Sequence, residues 1–582
     1  MKIIQILSKI KYIQNQVFEK KSYFVYVILG LSLLASVFEL LGIGIAFPAI
    51  AALISDDFFT NYTDKFSFLD FIFRDKSNSE LIIFLFSLII IVYFLKFLIL
   101  VLNKYVVSKA IFNLDTKISS KLFSNYLNCD FEYVISKGFS EVIKNIYTQS
   151  RSFTGGFLMC ALNIFLETVT FAVIMGFLFV LNFKITLCII FVSAIIVIAY
   201  ISFFKDKFLK LGIDRVHYEQ SKYQYIHEGV QGIKDIILFN KRNFFSELLH
   251  AKNKQIEKTG VTHSVYSGLP SYLFELFSIL ILCSVTILLF YLEFEKKQIL
   301  LLITLFGFLI MRILPSIVKL VSNYQNLIFF YPSLDDIYDT LKQTNEKKIL
   351  IKKNIKEFKF EKSLEIKNIN FKRNNVQILK NINLIIKPGS KIGIIGDSGS
   401  GKTTFINILM GILKQDSGKI FCDGEEVLNK NNLKYIDIFG HVPSNPFLFE
   451  GSFIENISLQ KNDNDKILDQ VILAAKKSSL HSLIESKEKK YDSQCGNDGS
   501  NMSAGQKQRV AIARAIFKKS QIYVFDESTN SLDKKTENDI LEHVFSDLNY
   551  STILFVSHNI QVVEKHCDEI YKIENSNIIK LK

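Results

Sequence analysis

Gly396-Asp397-Ser398-Gly399-Ser400-Gly401 runs directly into Lys402 and Thr403, between the apolar run 391–395 and a helix-forming stretch over 404–410. A glycine-rich stretch in that position can wrap phosphate oxygens in backbone N–H groups. The lysine then reaches the β and γ oxygens, and the hydroxyl beside it approaches Mg²⁺. Further along, Ile522-Tyr523-Val524-Phe525 ends in Asp526-Glu527. An acid closing a buried strand can hold that metal, through water in many cases, and a second acid next to it orients the attacking water. His558 follows the apolar run 552–556 and is placed in sequence to reach a γ-phosphate, although a strand-end histidine by itself is more often structural. Lys402 and Glu527 are therefore candidate catalytic residues, and His558 joins them only through the resemblance described below. Gly396 to Thr404 are the candidate phosphate cradle, with Thr403 and Asp526 as metal ligands. The implied cofactors are ATP and Mg²⁺.

Strands and a helix must hold these groups. The β-type runs 364–371, 378–386 and 391–395, with Pro388-Gly389 marking the turn before the phosphate loop, imply an α/β P-loop NTPase nucleotide-binding domain over 358–582. The polar, Lys-rich stretch 326–357 reads as a connector. Composition changes sharply before it. The chain is 49% hydrophobic with 53 Phe and only 21% charged residues, and the excess lies in residues 1–325. Six apolar segments there approach the roughly 20 residues that span a hydrocarbon core: about 22–52, 80–103, 156–181, 185–205, 267–291 and 298–322. The expected fold class is a multidomain membrane protein, an all-α six-helix transmembrane domain followed by the nucleotide-binding domain.

Charge sets an orientation. The Asp-rich segment 56–76 reads as external, while Lys9, Lys11, Lys20 and Lys21 read as cytoplasmic. An even number of crossings then returns the chain to the compartment that holds ATP. The long internal connections lack Gly and Pro clusters, so spans two to five should continue as helices beyond the membrane, turning near 126–136 and 218–234. The first 20 residues read either as an interfacial helix or as a disordered leader. The net charge of +13 follows from this membrane topology and does not point to nucleic acid. The seven Cys form no CxxC or finger-like spacing, which points away from a disulfide framework or a metal site. The first hydrophobic run is too long for a signal-peptide core.

Glu39, Glu167, Glu275, Arg312 and Lys319 lie in or near the spans, where an unpaired charge is expensive. Arg312 and Lys319 are two helical turns apart on one face. Two readings stand: a water-accessible cavity that attracts an anionic head group, or cations paired with glutamates of neighbouring helices. Pro48, Pro270 and Pro315 are candidate kinks.

Taken together, the chain resembles the ATP-binding cassette superfamily in its exporter form, with membrane and nucleotide domains fused. Its signature segment stands as Met502-Ser503-Ala504-Gly505-Gln506, followed by Lys507-Gln508-Arg509; Asn530-Ser531-Leu532-Asp533 matches the loop that crosses between cassettes, and His558 the switch histidine. The resemblance implies that Ser503, Ala504, Gly505, Gln506 and Asp533 meet ATP held by a second copy, hence a homodimer with two ATPs at its interface. Three positions depart from the family pattern. Ser444 replaces the glutamine that contacts Mg²⁺. Arg373 stands where an aromatic would stack on adenine. Asn497 replaces an acid often found before the signature.

Arg312-Ile313-Leu314-Pro315 and the external segment after the first span are similar to features of bacterial lipid-linked oligosaccharide flippases. That likeness implies residence in the bacterial cytoplasmic membrane, contact with membrane lipids, no nucleic-acid partner, and an anionic polyprenyl-diphosphate glycan as cargo. Lipid A export, peptide export and an ATP-gated, non-hydrolytic channel are the alternatives.

Overall fold

The computed structural model describes residues 3–17, 24–54, 78–181, 183–293, 296–348, 358–427, 433–461, 465–496, 499–528, 534–547 and 551–582. The chain divides into two compact units, one of residues 1–129 and 133–348, the other of residues 130–132 and 349–582. The external segment 56–76 expected from charge, together with Asn497 and Asp533, lies outside the described residues.

The first unit is helical. It comprises α1 (Ile3–Val17), α2 (Phe24–Ile54), α3 (Asn78–Leu127), α4 (Phe131–Ile143, broken at Gly138), α5 (Met159–Leu181), α6 (Phe183–Gln231), α7 (Ile233–Leu238), α8 (Arg242–Tyr291) and α9 (Lys296–Glu346). Two π-helical stretches, Lys144–Gln149 and Ser152–Leu158, lead into α5. Among the described residues, three helical stretches are long and apolar enough to cross a membrane: Ile82–Leu127, Phe131–Gly176 and Arg242–Tyr291. Helices also run through the other segments expected to span, and α3, α6, α8 and α9 continue well past the apolar parts of their sequences. The first expected turn falls after Leu127. The second comes at Gly232–Lys241, at the end of and beyond the stretch expected, because α6 persists to Gln231. Pro270 sits inside α8 and Pro315 inside α9 without ending either helix.

One expectation changes, and one pair of alternatives narrows to a helix. The connector over 326–357 is helical as far as Glu346. Leu334, Ile337 and Leu341 recur at helical spacing and are fully buried with Ile118, Leu122, Phe153 and Phe157, so packing outweighs the polar composition of that stretch. The N-terminal segment is a helix and belongs to the same core. Ile13 is buried there and Lys9 Nζ lies 2.7 Å from Asp335 Oδ1, while Ile4 and Leu7 remain exposed.

In the second unit β1 (Leu364–Arg373), β2 (Val376–Ile386), β4 (Ser417–Cys422) and β5 (Glu425–Glu426) form an antiparallel sheet in the order β2-β1-β4-β5. A six-stranded sheet has the order β10-β9-β3-β8-β7-β6, built from β3 (Lys391–Ile395), β6 (Phe439–Val442), β7 (Ile522–Asp526), β8 (Thr552–Val556), β9 (Glu569–Glu574) and β10 (Asn577–Lys580). All its pairings are parallel except β9–β10. Parallel strands need both faces covered, so their sequences read as unbroken apolar runs. In β7 all five residues are buried. Ile522 and Val524 face the core that holds the phosphate-loop helix, whereas Tyr523 and Phe525 face a second core of helices that includes Val510, Ala511 and Ile512.

Candidate nucleotide site

Four loops leave the same edge of the parallel sheet. The loop after β3 carries 396–401, β7 ends in Asp526-Glu527, β8 runs into Ser557-His558, and β6 runs into Pro443-Ser444. The register places Val442 beside Phe525 and Val556 beside Asp526, so residues far apart in sequence meet at the carboxyl ends of adjacent strands. This is the edge at which open α/β sheets bind ligands.

The phosphate loop ends at Gly401, the N-cap of α10 (Lys402–Leu409), with φ of 101°. That conformation disfavours any side chain, and a Cβ there would also lie 3.0 Å from Ile378 Cγ2 of β2. Gly396 is confined for another reason: a Cβ would come within 2.6 Å of the Ile573 carbonyl and 2.7 Å of Ser400 Oγ. Asp397, Ser398 and Gly399 are exposed, and Ser400 Oγ is buried without a hydrogen-bond partner among the described residues. Thr403 and Thr404 open the helix, where backbone N–H groups and the helix dipole favour an anion.

Lys402 is 4% exposed, and its ammonium donates to Gly396 O at 2.8 Å and Asp397 O at 3.0 Å. Its nitrogen also lies 3.3 Å from Glu527 Oε1. Three donors on one nitrogen thus face three acceptors. The other Glu527 oxygen, Oε2, lies 2.9 Å from His558 Nε2. Glu527 has φ of 50°, an uncommon left-handed backbone for a non-glycine residue, and its N–H donates to Val556 O at 3.0 Å. That strain turns the side chain out of the strand alternation between Lys402 and His558. Asp526 is buried, and Thr403 Oγ1 donates to its Oδ1 at 3.4 Å. Burial pushes the Asp526 carboxyl above the ordinary aspartate range, and the Glu527 charge adds to this against the Thr403 hydrogen bond and the Lys402 charge.

These residues fit a magnesium nucleotide. A loop with no room for a side chain at Gly396 and little at Gly401, a Ser400 hydroxyl without a hydrogen-bond partner among the described residues, and paired hard oxygens on Thr403 and Asp526 suit phosphate and a small divalent cation. Ser444 is exposed at the adjacent edge. Arg373 closes β1 and pairs with Val376 across the Asn374-Asn375 turn, both of whose φ angles are positive. Its sheet reaches the phosphate loop through Ile378, beneath Gly401.

The signature residues stand elsewhere in the unit. Ser503 caps the helix Ala504–Phe517 (α12, with α11 at Phe453–Ser458). Its hydroxyl accepts from the Gln506 N–H at 3.3 Å, while Gln506 Oε1 accepts from the Ser503 N–H at 3.1 Å. Ser503 and Ala504 are exposed and Gly505 is half-buried, so the positive end of α12 opens outward. Its apolar residues pack in the second core, away from Phe405 and Ile406 of α10. Sequence reading assigned no role to Gln508. Buried at 1% exposure, it donates to the carbonyls of Pro443 and Ser444.

In the helical unit, Lys319 Nζ lies 3.0 Å from Glu167 Oε1, the pairing alternative of the two readings. The Arg312 backbone is in α9; its side chain lies outside the described residues. Glu39 pairs with Lys96 at 2.6 Å, a partner that sequence reading missed. The signal was a single lysine inside the apolar run of α3.

Residues 29–313 match the family model of the ABC transporter transmembrane region, and residues 379–530 match that of the ABC transporter. A "probable ABC transporter ATP-binding/permease protein" of Haemophilus influenzae is 34% identical over 215 residues, 37% of this chain and 38% of that protein. The lactococcin-G-processing and transport ATP-binding protein LagD of Lactococcus lactis is 30% identical over 267 residues, 46% of this chain and 37% of its own length. The matches thus span well under half of these relatives. The fold is similar to that of a bacterial Atm1-family ABC exporter solved with ATP bound, with a TM-score of 0.78, 18% identity, and coverage of 95% of this chain and 94% of the other. With both domain models matched in order along one polypeptide, the chain belongs to the ABC transporter family, with its transmembrane and ATP-binding domains fused.

Proposed function

We propose that this protein is an ATP-hydrolysing exporter that works as a homodimer in a bacterial cytoplasmic membrane, with residues 1–325 as its membrane domain of six crossings and 358–582 as its ATPase. The observation that carries this reading is the single constellation of Lys402, Glu527, His558, Asp526 and Thr403 at one sheet edge. Bound MgATP would supply the phosphoanhydride whose hydrolysis drives transport. Lys402 would give donors now held by Gly396, Asp397 and Glu527 to phosphate oxygens. Glu527 orients water, with His558 fixing its carboxylate. Thr403, Asp526 and Ser444 would hold the metal. Arg373 would stack on the base, and Ser503 to Gln506 with Asp533 would meet nucleotide bound to the second copy.

For cargo, the reading is an anionic, polyprenyl-diphosphate-linked glycan moved from inner to outer leaflet. Lys319 supports it: the side chain is 60% exposed although paired with Glu167. Peptide export is a second reading, favoured by the likeness to a protein named for lactococcin-G transport. The test is ATPase stimulation of full-length protein in lipid vesicles by polyprenyl-diphosphate glycans, lipid A precursors and peptides. Stimulation by the glycan alone is expected. Stimulation by another class reassigns the cargo, and no hydrolysis by protein that binds MgATP favours the ATP-gated channel.

A further inference from the structure

We propose that Gln508 is a positioning residue for the metal: its amide, carried on the signature helix, holds the Pro443-Ser444 loop at the sheet edge where Ser444 would meet Mg²⁺. This deepens the ATPase reading and rests on it.

The identity of the donor is fixed by its partners. Gln508 Nε2 lies 3.2 Å from Pro443 O and 2.5 Å from Ser444 O, and two carbonyls can be answered only by the NH₂ end of an amide. Gln508 is buried at 1% exposure, and its Oε1 has no hydrogen-bond partner among the described residues. A buried amide that leaves its own acceptor unanswered is poorly explained as packing, since such an orphan costs free energy. Donating to two consecutive carbonyls instead fixes the peptide between residues 443 and 444. That peptide follows directly from β6, whose Val442 pairs with Phe525, the residue before Asp526.

The Ser444 side chain makes the tether matter. A longer side chain could search for a metal from a loosely held backbone. A hydroxyl on one methylene cannot, so here the backbone must be placed accurately. Arg514 adds a second hold from the same helix, donating to Phe447 O at 3.1 Å and Asn456 O at 2.9 Å. Among the described residues, only Gln508 donates to residue 444 itself.

The experiment uses full-length protein in nanodiscs and a fluorescent, non-hydrolysable ATP analogue. Its affinity is titrated with Mg²⁺ and again in EDTA, and the half-saturating Mg²⁺ for ATP hydrolysis is measured in parallel. Gln508→Met, close in volume but without a donor, and Gln508→Glu, close in shape but an acceptor, are compared with Arg509→Met. Arg509 donates to Ser479 O at 3.2 Å, in a different loop, and controls for a merely structural loss on the same helix.

For both Gln508 variants the Mg²⁺-dependent gain in affinity is expected to fall about tenfold, as for other residues that orient a metal ligand. Affinity in EDTA should hold within about twofold, and Arg509→Met should keep the full Mg²⁺ gain. Equal loss with and without Mg²⁺, or the same loss in Arg509→Met, would overturn the positioning role while leaving the ATPase reading intact. If wild-type protein shows no Mg²⁺-dependent gain at all, both fall together. If either Gln508 variant fails to fold, the other still decides.

Discussion

Two lysine–glutamate pairs, Lys402–Glu527 at the nucleotide site and Lys96–Glu39 in the helical unit, look alike as contacts and differ in what surrounds them. The Lys96–Glu39 pair joins α3 to α2 at 2.6 Å, with side chains only 11% and 5% exposed. There the partners neutralise one another, and breaking the pair leaves a charge buried. Lys402 also faces two backbone carbonyls, and its carboxylate partner is shared with His558. Charge is therefore distributed over several exchangeable acceptors, an arrangement from which phosphate can take over contacts without leaving the lysine bare. A buried ion pair holds helices together; a lysine amid redundant acceptors can change partners.

The sharpest way to test this contrast is at Glu527. Glu527→Gln keeps shape and neutralises the shared carboxylate, so hydrolysis should drop by about 100-fold or more while MgATP affinity is retained, measured by steady-state turnover and nucleotide titration. Normal turnover would remove Glu527 from the mechanism. In the helical unit, Lys96→Met alone should destabilise by about 3–5 kcal/mol, read as a lower midpoint in detergent unfolding. The double change with Glu39→Gln should recover most of the loss. If the single variant is as stable as wild type, the pair is not holding α2 to α3.

Asp526 gives an effect of opposite sign on stability and function. Its folded-state pKa is raised, mainly by burial, so the folded protein holds that proton more tightly than the unfolded chain. Stability from this group is present at low pH and is lost as pH rises through the folded value. Asp526→Asn should therefore raise the apparent melting temperature at pH 7 and abolish the Mg²⁺-dependent part of nucleotide affinity. The gain in melting temperature should shrink as pH falls through the folded pKa. An unchanged melting temperature across that range would contradict the burial cost. The smallest effect is at Lys319, whose partly exposed pair with Glu167 should contribute below about 1 kcal/mol. Lys319→Ala should leave unfolding unchanged and reduce glycan-stimulated ATPase activity. Undiminished stimulation would detach this lysine from cargo.

The nucleotide site was unusually legible because its chemistry depends on short contiguous stretches. The loop 396–403 and the pair 526–527 carry their own spacing, and the unbroken apolar runs before them reveal strands covered on both faces. Gln508 was not legible, because nothing in its neighbourhood says which carbonyls it will meet. Lys96 was overlooked for a similar reason: its partner lies on another helix. The connector failed more instructively. Residues 326–346 look polar on average, yet Leu334, Ile337 and Leu341 form the stripe that a core requires.

Sequence alone determined the two-part organisation, the phosphate-binding stretch and the acids that follow a buried strand, because backbone periodicity and local motif geometry are encoded within a few residues. Tertiary structure decided the partners: Glu527 between Lys402 and His558, Gln508 on the 443–444 peptide, Lys319 on Glu167. Those contacts join residues distant in sequence, and their geometry is set by strand order, helix packing and a left-handed backbone at Glu527, none of which a linear spacing specifies.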